Sequence, residues 1–203
     1  MKIRWITDFI LVCCFFVLVA CTQTHSVEKT TQVLIDGEKG LENFHVLGAA
    51  SWHVKDGAIV ADSGEKSFLV TNNSYKDFHL VIEFWADPTT NSGVFLRMSD
   101  PDEINASNAY EVNIYDQRPD PSFGTGAIVY AAKVDPMPKA GGRWNTYDIT
   151  AQGSHLLIRL NGVETANVDD TSHSEGPIAL QFGDVPDGKP GSIKWRKITI
   201  QSL

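Results

Sequence analysis

The sequence has no cysteine where a folded domain could use one. Cys13, Cys14 and Cys21 are its three cysteines, and all lie within the first 21 residues. The remainder therefore has no thiol for a disulfide framework or a thiolate metal site, and a domain built from it must rest on its apolar core. Clustered positive charge is also missing. The formal net charge is -8 and no run of Lys or Arg stands out, which argues against a nucleic-acid partner. Only one long apolar run occurs, Phe9 to Ala20, and its 12 residues are too few for an ordinary membrane span. Past that run no stretch keeps helical periodicity, apart from a turn expected within 37–47. His45, His53, His79, His155 and His173 are scattered without the pairwise spacing of metal ligands, so no metal site is expected from them. Asp100, Asp102 and Glu103 could offer oxygen ligands to calcium, but a Ser-Asp-Pro-Asp cluster reads better as a solvated turn. No cofactor is evident, and a requirement for a divalent metal stays open.

The short apolar run follows Lys2 and Arg4 and ends in Leu18-Val19-Ala20-Cys21, so residues 1–21 read as a secretory leader outside the fold. Its end resembles the lipobox of bacterial lipoproteins, in which the cysteine becomes the lipidated first residue; the alternative is a plain signal that happens to contain a cysteine. The resemblance implies an exported protein held in the cell envelope through Cys21. Thr22 rather than Asp follows it, which implies the outer membrane. Residues 22–32 are polar and unpatterned and read as a tether, leaving 33–203 as one domain. With 42% hydrophobic residues it can bury a real core.

That domain reads as strand after short strand. Asp56-Gly57 and Asn161-Gly162 sit between alternating apolar runs, the two-residue hairpin signal. Strands are expected at 67–71, 78–85, 93–98, 110–115, 125–132, 144–150, 155–160, 164–168, 176–182 and 192–201. Trp52, Trp144 and Trp195 are expected in the core, since aromatics dominate sandwich interiors. Trp85 reads equally as core or as a sugar platform. The fold class is all-β: a two-sheet antiparallel jelly-roll sandwich.

The stretch from Phe78 to Gln117 organises the rest. Phe78, Leu80, Ile82 and Phe84 alternate against Glu83; Val94, Leu96 and Met98 against Arg97; Tyr110, Val112 and Ile114 against Glu111, Asn113 and Tyr115. If these three runs are neighbours, antiparallel spacing of about 4.8 Å gathers Glu83, Arg97 and Glu111 within the breadth of one sugar. A solvated face usually carries Lys, Thr and Ser. Carboxylates, an arginine and aromatics suit a polar ring better. The competing reading is an ion-pair network that sets strand register. The loops 99–108 and 117–124 lie at the ends of these strands and are placed to frame a site.

Motifs in order extend the reading. Trp52 to Val60 (WHVKDGAIV), Phe68-Leu-Val-Thr, Tyr75-Lys-Asp-Phe78, Glu83, Asn91 to Arg97 (NSGVFLR), Tyr110-Glu-Val, Thr125-Gly-Ala-Ile, Trp144-Asn-Thr-Tyr, Leu160-Asn-Gly-Val163, Gly176 to Gln181 (GPIALQ) and Arg196-Lys-Ile-Thr-Ile together resemble the 3-keto-disaccharide hydrolase domain family over the whole of 33–203. The resemblance implies a concanavalin-like jelly roll that cleaves the glycosidic bond of 3-keto-glycosides or 3-keto-disaccharides, by hydrolysis or by elimination and hydration. The chain departs from the family where Gln181 runs into Phe182-Gly183-Asp184 instead of His-Gly, and where Asn113 replaces a Gln.

A ketone at C3 acidifies the hydrogen at C2. A carboxylate removes it, the enolate expels the group on C1, and water adds afterwards. This needs a base, an acid and a stabiliser of negative charge. Glu83 and Glu111 are the candidate base and acid, and Arg97 the candidate stabiliser or hydroxyl clamp. Asn113, Tyr115, Tyr130 and Gln181 are candidates for hydrogen bonding or stacking on the sugar. The alternative function is a carbohydrate-binding lipoprotein without turnover, since one fold serves both classes. A purely structural envelope protein would leave the polar face without a purpose.

Overall fold

The structure is a computed structural model that describes residues 30–185 and 191–203. The leader, Cys21 and nearly all of the expected tether lie outside the described residues. Eleven strands follow in order: β1 (Thr31–Asp36), β2 (Phe44–Lys55), β3 (Ala58–Thr71), β4 (Phe78–Ala86), β5 (Ser92–Leu96), β6 (Tyr110–Ile114), β7 (Trp144–Gln152), β8 (His155–Leu160), β9 (Val163–Asp169), β10 (Ala179–Phe182) and β11 (Ile193–Ser202). The fold is the expected all-β jelly roll. β1 begins at Thr31, two residues before the expected start of the domain. The helical turn expected within 37–47 is a single 3-10 turn, Leu41–Asn43.

The hairpin turns form where the sequence places them. Asp56 and Gly57 have φ of 53° and 74°, and Asn161 and Gly162 have 54° and 82°. Positive φ at both central residues is the twist that joins two antiparallel strands through two residues.

All strand pairs are antiparallel, along one continuous path β6-β5-β10-β3-β11-β4-β7-β8-β9, with β2 on β3 and β1 on β11. β3 is the corner. Its first half pairs with β11 through Ile59, Val60 and Ala61, and its second half with β10 through Ser67 to Val70. The sheet therefore curls until its two ends face each other. Tyr147 of β7 shows the closure: its hydroxyl donates to the Asn113 carbonyl of β6 at 2.7 Å. Between the layers lies the main core, with Phe84, Tyr147 and Trp195 among its largest members.

The strict alternation of β4 has the expected effect. Phe78, Leu80, Ile82 and Phe84 are fully buried while the residues between them are half-buried. β5 is buried on both faces. Val94 and Leu96 enter the main core, whereas Phe95 joins a second cluster with Phe68, Val70, Met98, Ile104, Ala109 and Ala179 on the outer face. Ile104 and Ala109 come from the loop after β5, so that loop folds back over the β3–β10–β5–β6 layer.

Three expectations are corrected. Thr125 to Ala132 is not a regular strand. It lies along β6 through one bridge, Val112 with Ile128, and Gly126 and Tyr130, at φ of 91° and 66°, turn the chain away from extended pairing. Of the three tryptophans expected in the core, Trp195 is fully buried and Trp52 packs against the core from its margin. Trp144 lies on an outer face, with the Arg196 guanidinium 4.2 Å from its ring centre. Trp85, left open between core and platform, is its cross-strand partner there, with the Lys194 ammonium 4.3 Å from its ring.

Candidate functional site

The strand register brings a polar group to one place on the outer face of the β3–β10–β5–β6 layer. One row across the strands reads Val70, Ala179, Phe95 and Glu111. The next row on the same face, two residues along each strand, contains Phe68 opposite Gln181 and Gly93 opposite Asn113. Glu111 thus stands beside apolar Phe95 and diagonal to a glycine. Its side chain leans over Gly93: a Cβ built there would lie 3.3 Å from both Cγ and Oε1 of Glu111. The loop after β5, through Asn105 and Ala106, and the segment after β6, through Arg118, Phe123, Val129 and Tyr130, wall a cavity of about 240 Å³ above this floor. Asn105, Ala106, Arg118 and Phe123 lie in the two long loops expected to frame a site, whereas Val129 and Tyr130 come from the stretch expected as a strand.

Burial pushes the Glu111 carboxyl up to about 7, against the pull of Lys66 and Arg118. No hydrogen bond from the described residues contributes to its ionisation, and neither cation closes to an ion pair with it. Desolvation by burial dominates. Each cation is held on aromatic rings. Lys66 Nζ is 5.3 Å from the centre of Phe68, and Arg118 Cζ is 5.2 Å from Tyr115 and 5.7 Å from Phe123. Ring faces hold these charges without neutralising them.

The other expected residues divide by task. Gln181 is 5% exposed and lines the cavity, while its Oε1 is closed off from solvent and has no hydrogen-bond partner among the described residues. A buried acceptor left bare is costly. Asn113 also lines the cavity, but its amide is engaged. Nδ2 donates to the Phe123 carbonyl at 2.6 Å and Oδ1 accepts the Ile114 N–H at 3.0 Å, so it fastens the far wall to the floor. Tyr115 is buried beneath Arg118. Tyr130 stands at the rim, 74% exposed, its ring edge-to-face with Phe123 at 5.7 Å.

Glu83 and Arg97 are not at this place. β4 lies between β11 and β7 in the other layer, so β4, β5 and β6 are not three neighbours. Glu83 is opposite Lys197 and Thr146, and its Oε2 accepts from Arg196 Nε at 2.5 Å on that outer face. Arg97 follows β5 with φ of 53°, which breaks the alternation and turns its side chain into the molecule. There it is fully buried. It donates to the carbonyls of Lys76, Gly153 and His173 and to the Asp77 carboxylate. It ties the end of β5 to the β7–β8 turn. The expected cluster of Glu83, Arg97 and Glu111 is thus replaced by Glu111 and Gln181 with Lys66 and Arg118.

Lys66 and Arg118 were missed by sequence reasoning. Lys66 has the parity of Phe68 on β3, which a longer strand assignment through 66 would have exposed. Arg118 lies in an irregular loop, where no periodicity gives a direction. Among the described residues no group of three or more His, Cys, Asp or Glu is placed to hold a metal ion. Asp100 accepts the N–H of Asp102 at 3.1 Å, which makes that acidic stretch a self-capped turn.

Residues 30–201 match the family model described as 3-keto-alpha-glucoside-1,2-lyase-like domain. No curated protein matches the chain. Among solved structures, one from Parabacteroides distasonis described as a candidate glycosyl hydrolase superposes with a TM-score of 0.71 at 26% identity, covering 86% of this chain and 100% of that one. A second from the same organism, described likewise, gives 0.70 at 14% identity over 85% and 94%. The carbohydrate-binding module CBM66 from Bacillus subtilis gives 0.59 at 17% identity over 79% and 96%. The last two likenesses are of fold alone.

Proposed function

Since the chain belongs to the 3-keto-alpha-glucoside-1,2-lyase-like domain family, we propose that it cleaves the glycosidic bond of 3-keto-glycosides, with Glu111 as the group that takes the proton. One observation carries the reading. A single carboxyl, unpaired and lifted to about 7, lies in a walled polar cavity between two unneutralised cations. A base works best when its pKa is near the operating pH, and a carboxylate at 4.5 would be too weak to take a carbon-bound proton efficiently.

The Glu111 carboxylate takes the proton from C2 of the 3-keto sugar. The C–H electron pair forms a C2–C3 double bond and the C3 oxygen becomes an enolate. The positive potential of Lys66 and Arg118 favours that charge as it develops. The enolate then collapses: the C3 carbonyl re-forms, a C1–C2 double bond forms, and the C1–O bond breaks. The leaving oxygen takes up the proton that Glu111 received from C2, which returns Glu111 to the carboxylate. Addition of water across the new double bond gives the free 3-keto sugar. Gln181, in the cavity floor beside Gly93 and Asn113, would face the bound ring next to Glu111. The roles of Glu83 and Arg97 pass to this set. The leader and Cys21 support an exported, lipid-anchored placement for this chemistry.

A binding protein without turnover is the second reading, favoured by the exposed Tyr130 ring, which can serve a ligand without any reaction. Incubation with a panel of 3-keto-glucosides, following release of the free leaving group, decides between them. Release that is lost in Glu111→Gln supports the enzyme. Saturable binding of the same glycosides with no release supports the binder.

A further inference from the structure

Three cavities meet at one side chain. Tyr130 lines the Glu111 cavity, a second of about 190 Å³ that reaches Asp170 and His173, and a third of about 390 Å³ beside Phe123 and Lys133. Its backbone is in a conformation that a bulky side chain rarely adopts. The Ala131 N–H donates to the Ile128 carbonyl at 2.9 Å, which makes 128–131 a tight turn with Tyr130, at φ of 66°, in the third position. Val129 before it has no positive φ, so the turn is of the kind that calls for glycine at that position. A tyrosine there is strained, and its ring recovers little by burial, being 74% exposed. Strain without a packing return is found where a side chain is held out for a ligand. The ring is also kept from collapsing onto the surface. Phe123 meets it edge-to-face at 5.7 Å and is itself capped by Arg118.

We propose that Tyr130 is the platform on which the leaving group of the glycoside stacks, and that the site selects leaving groups carrying a ring with a flat apolar face. The proposal rests on the reading that the Glu111 cavity holds the reacting sugar. With that sugar over Gly93 and Gln181, the substituent on C1 must leave the cavity past its rim, and Tyr130 is the rim residue shared with both neighbouring cavities. An aromatic ring and the apolar face of a pyranose offer the same contact to it.

The test uses the full-length protein with three 3-keto-glucosides that differ only in the leaving group: methanol, p-nitrophenol and glucose. Tyr130→Gly should lower the kcat/KM ratio of the ring-bearing substrates to the methyl glycoside on the order of tenfold. Tyr130→Phe should keep that ratio, since the ring and not the hydroxyl makes the contact. The melting temperature of Tyr130→Gly should not fall, because glycine relieves the turn. Loss confined to the nitrophenyl substrate identifies an aryl leaving group, and loss confined to the disaccharide identifies a sugar. An unchanged ratio overturns the platform, and a lowered melting temperature with it moves Tyr130 to the scaffold. If the wild type turns over none of the three, calorimetric titration of the same glycosides decides separately. Tighter binding of the ring-bearing pair that disappears in Tyr130→Gly upholds the platform while the catalytic reading fails. Absence of any ring-dependent difference overturns the platform.

Discussion

Glu111 lies across Gly93 of the adjacent strand, so close that a methyl group on Gly93 would stand 3.3 Å from its Cγ, its Oε1 and the Val112 carbonyl oxygen. The glycine has no positive φ, so the space above it, not its backbone freedom, is what the site uses. Gly93→Ala should therefore fold. Its melting temperature should stay within a few degrees of wild type, and strand propensity even favours alanine. The carboxylate, however, must shift by a few tenths of an ångström, and turnover of 3-keto-glucosides should fall by about tenfold or more. Paired measurements of kcat and melting temperature check this. A large loss of stability with unchanged turnover would separate Glu111 from the chemistry.

Glu111→Gln should show opposite effects on turnover and on stability. Loss of the base should lower turnover by about 10²–10⁴-fold. The folded-state pKa of about 7 lies above the ordinary 4.5. The associated stability is fully present below 4.5 and is lost as pH rises through 7, because the unfolded chain ionises first. The variant should match wild type near pH 4 and exceed it by up to about 3 kcal/mol at pH 8. Denaturant titrations at the two pH values read the difference directly.

The pH profile of kcat/KM should rise with a midpoint near the Glu111 pKa of about 7, because the base must be ionised. Lys66 and Arg118 both lower that pKa. Lys66→Gln should therefore move the midpoint upward. A midpoint that stays in place, or moves down, would mean that Lys66 does not act on the group that titrates.

Arg97 and Glu83 should behave as scaffold, each on its own scale. Arg97→Met leaves three backbone carbonyls without their fully buried donor, while the partly exposed Asp77 carboxylate keeps the Gly153 N–H, at a cost of at least about 1–3 kcal/mol. Glu83→Gln breaks a half-exposed pair with Arg196, worth at most about 1 kcal/mol. Turnover per folded molecule should survive both. Activity normalised to the folded fraction, measured by circular dichroism, is the readout.

Cys21→Ser tests the proposed anchor. The variant should leave the membrane fraction for the soluble fraction, as followed by immunoblot of fractionated cells. Retention at the wild-type level would remove the lipid anchor from the proposal.

The sequence was most legible where a residue sits inside a regular strand. Glu111, Asn113 and Gln181 lie in β6 and β10, where parity alone gives the face, and all three reach the cavity. It was least legible where chain order had to stand for spatial order. Phe78 to Tyr115 contains three strands in succession, but the connection after Ala86 carries the chain from one layer to the other. Glu83 therefore faces solvent on the opposite side of the molecule from Glu111. Parity also failed at Arg97, one residue past the end of β5, where a positive φ reversed the side chain. Trp144 was expected inside because it is large and apolar. An arginine stacked over its outer face serves it there instead, and no local pattern announces a partner 52 residues away at Arg196.

β10 contributes only Ala179 to Phe182, yet it alone joins the β5–β6 hairpin to β3. In the order of synthesis this four-residue strand comes long after both of its neighbours. Until it arrives, β3 and β5 each present an unpaired edge, and the hairpin carrying Glu111 has no strand pairing to the layer. Open edges of this kind pair with whatever strand is at hand, including the same edge on another copy. A chain stopped anywhere before residue 179 would therefore be a seed for aggregation, with the proposed base, Glu111, on a hairpin that lacks its strand partner.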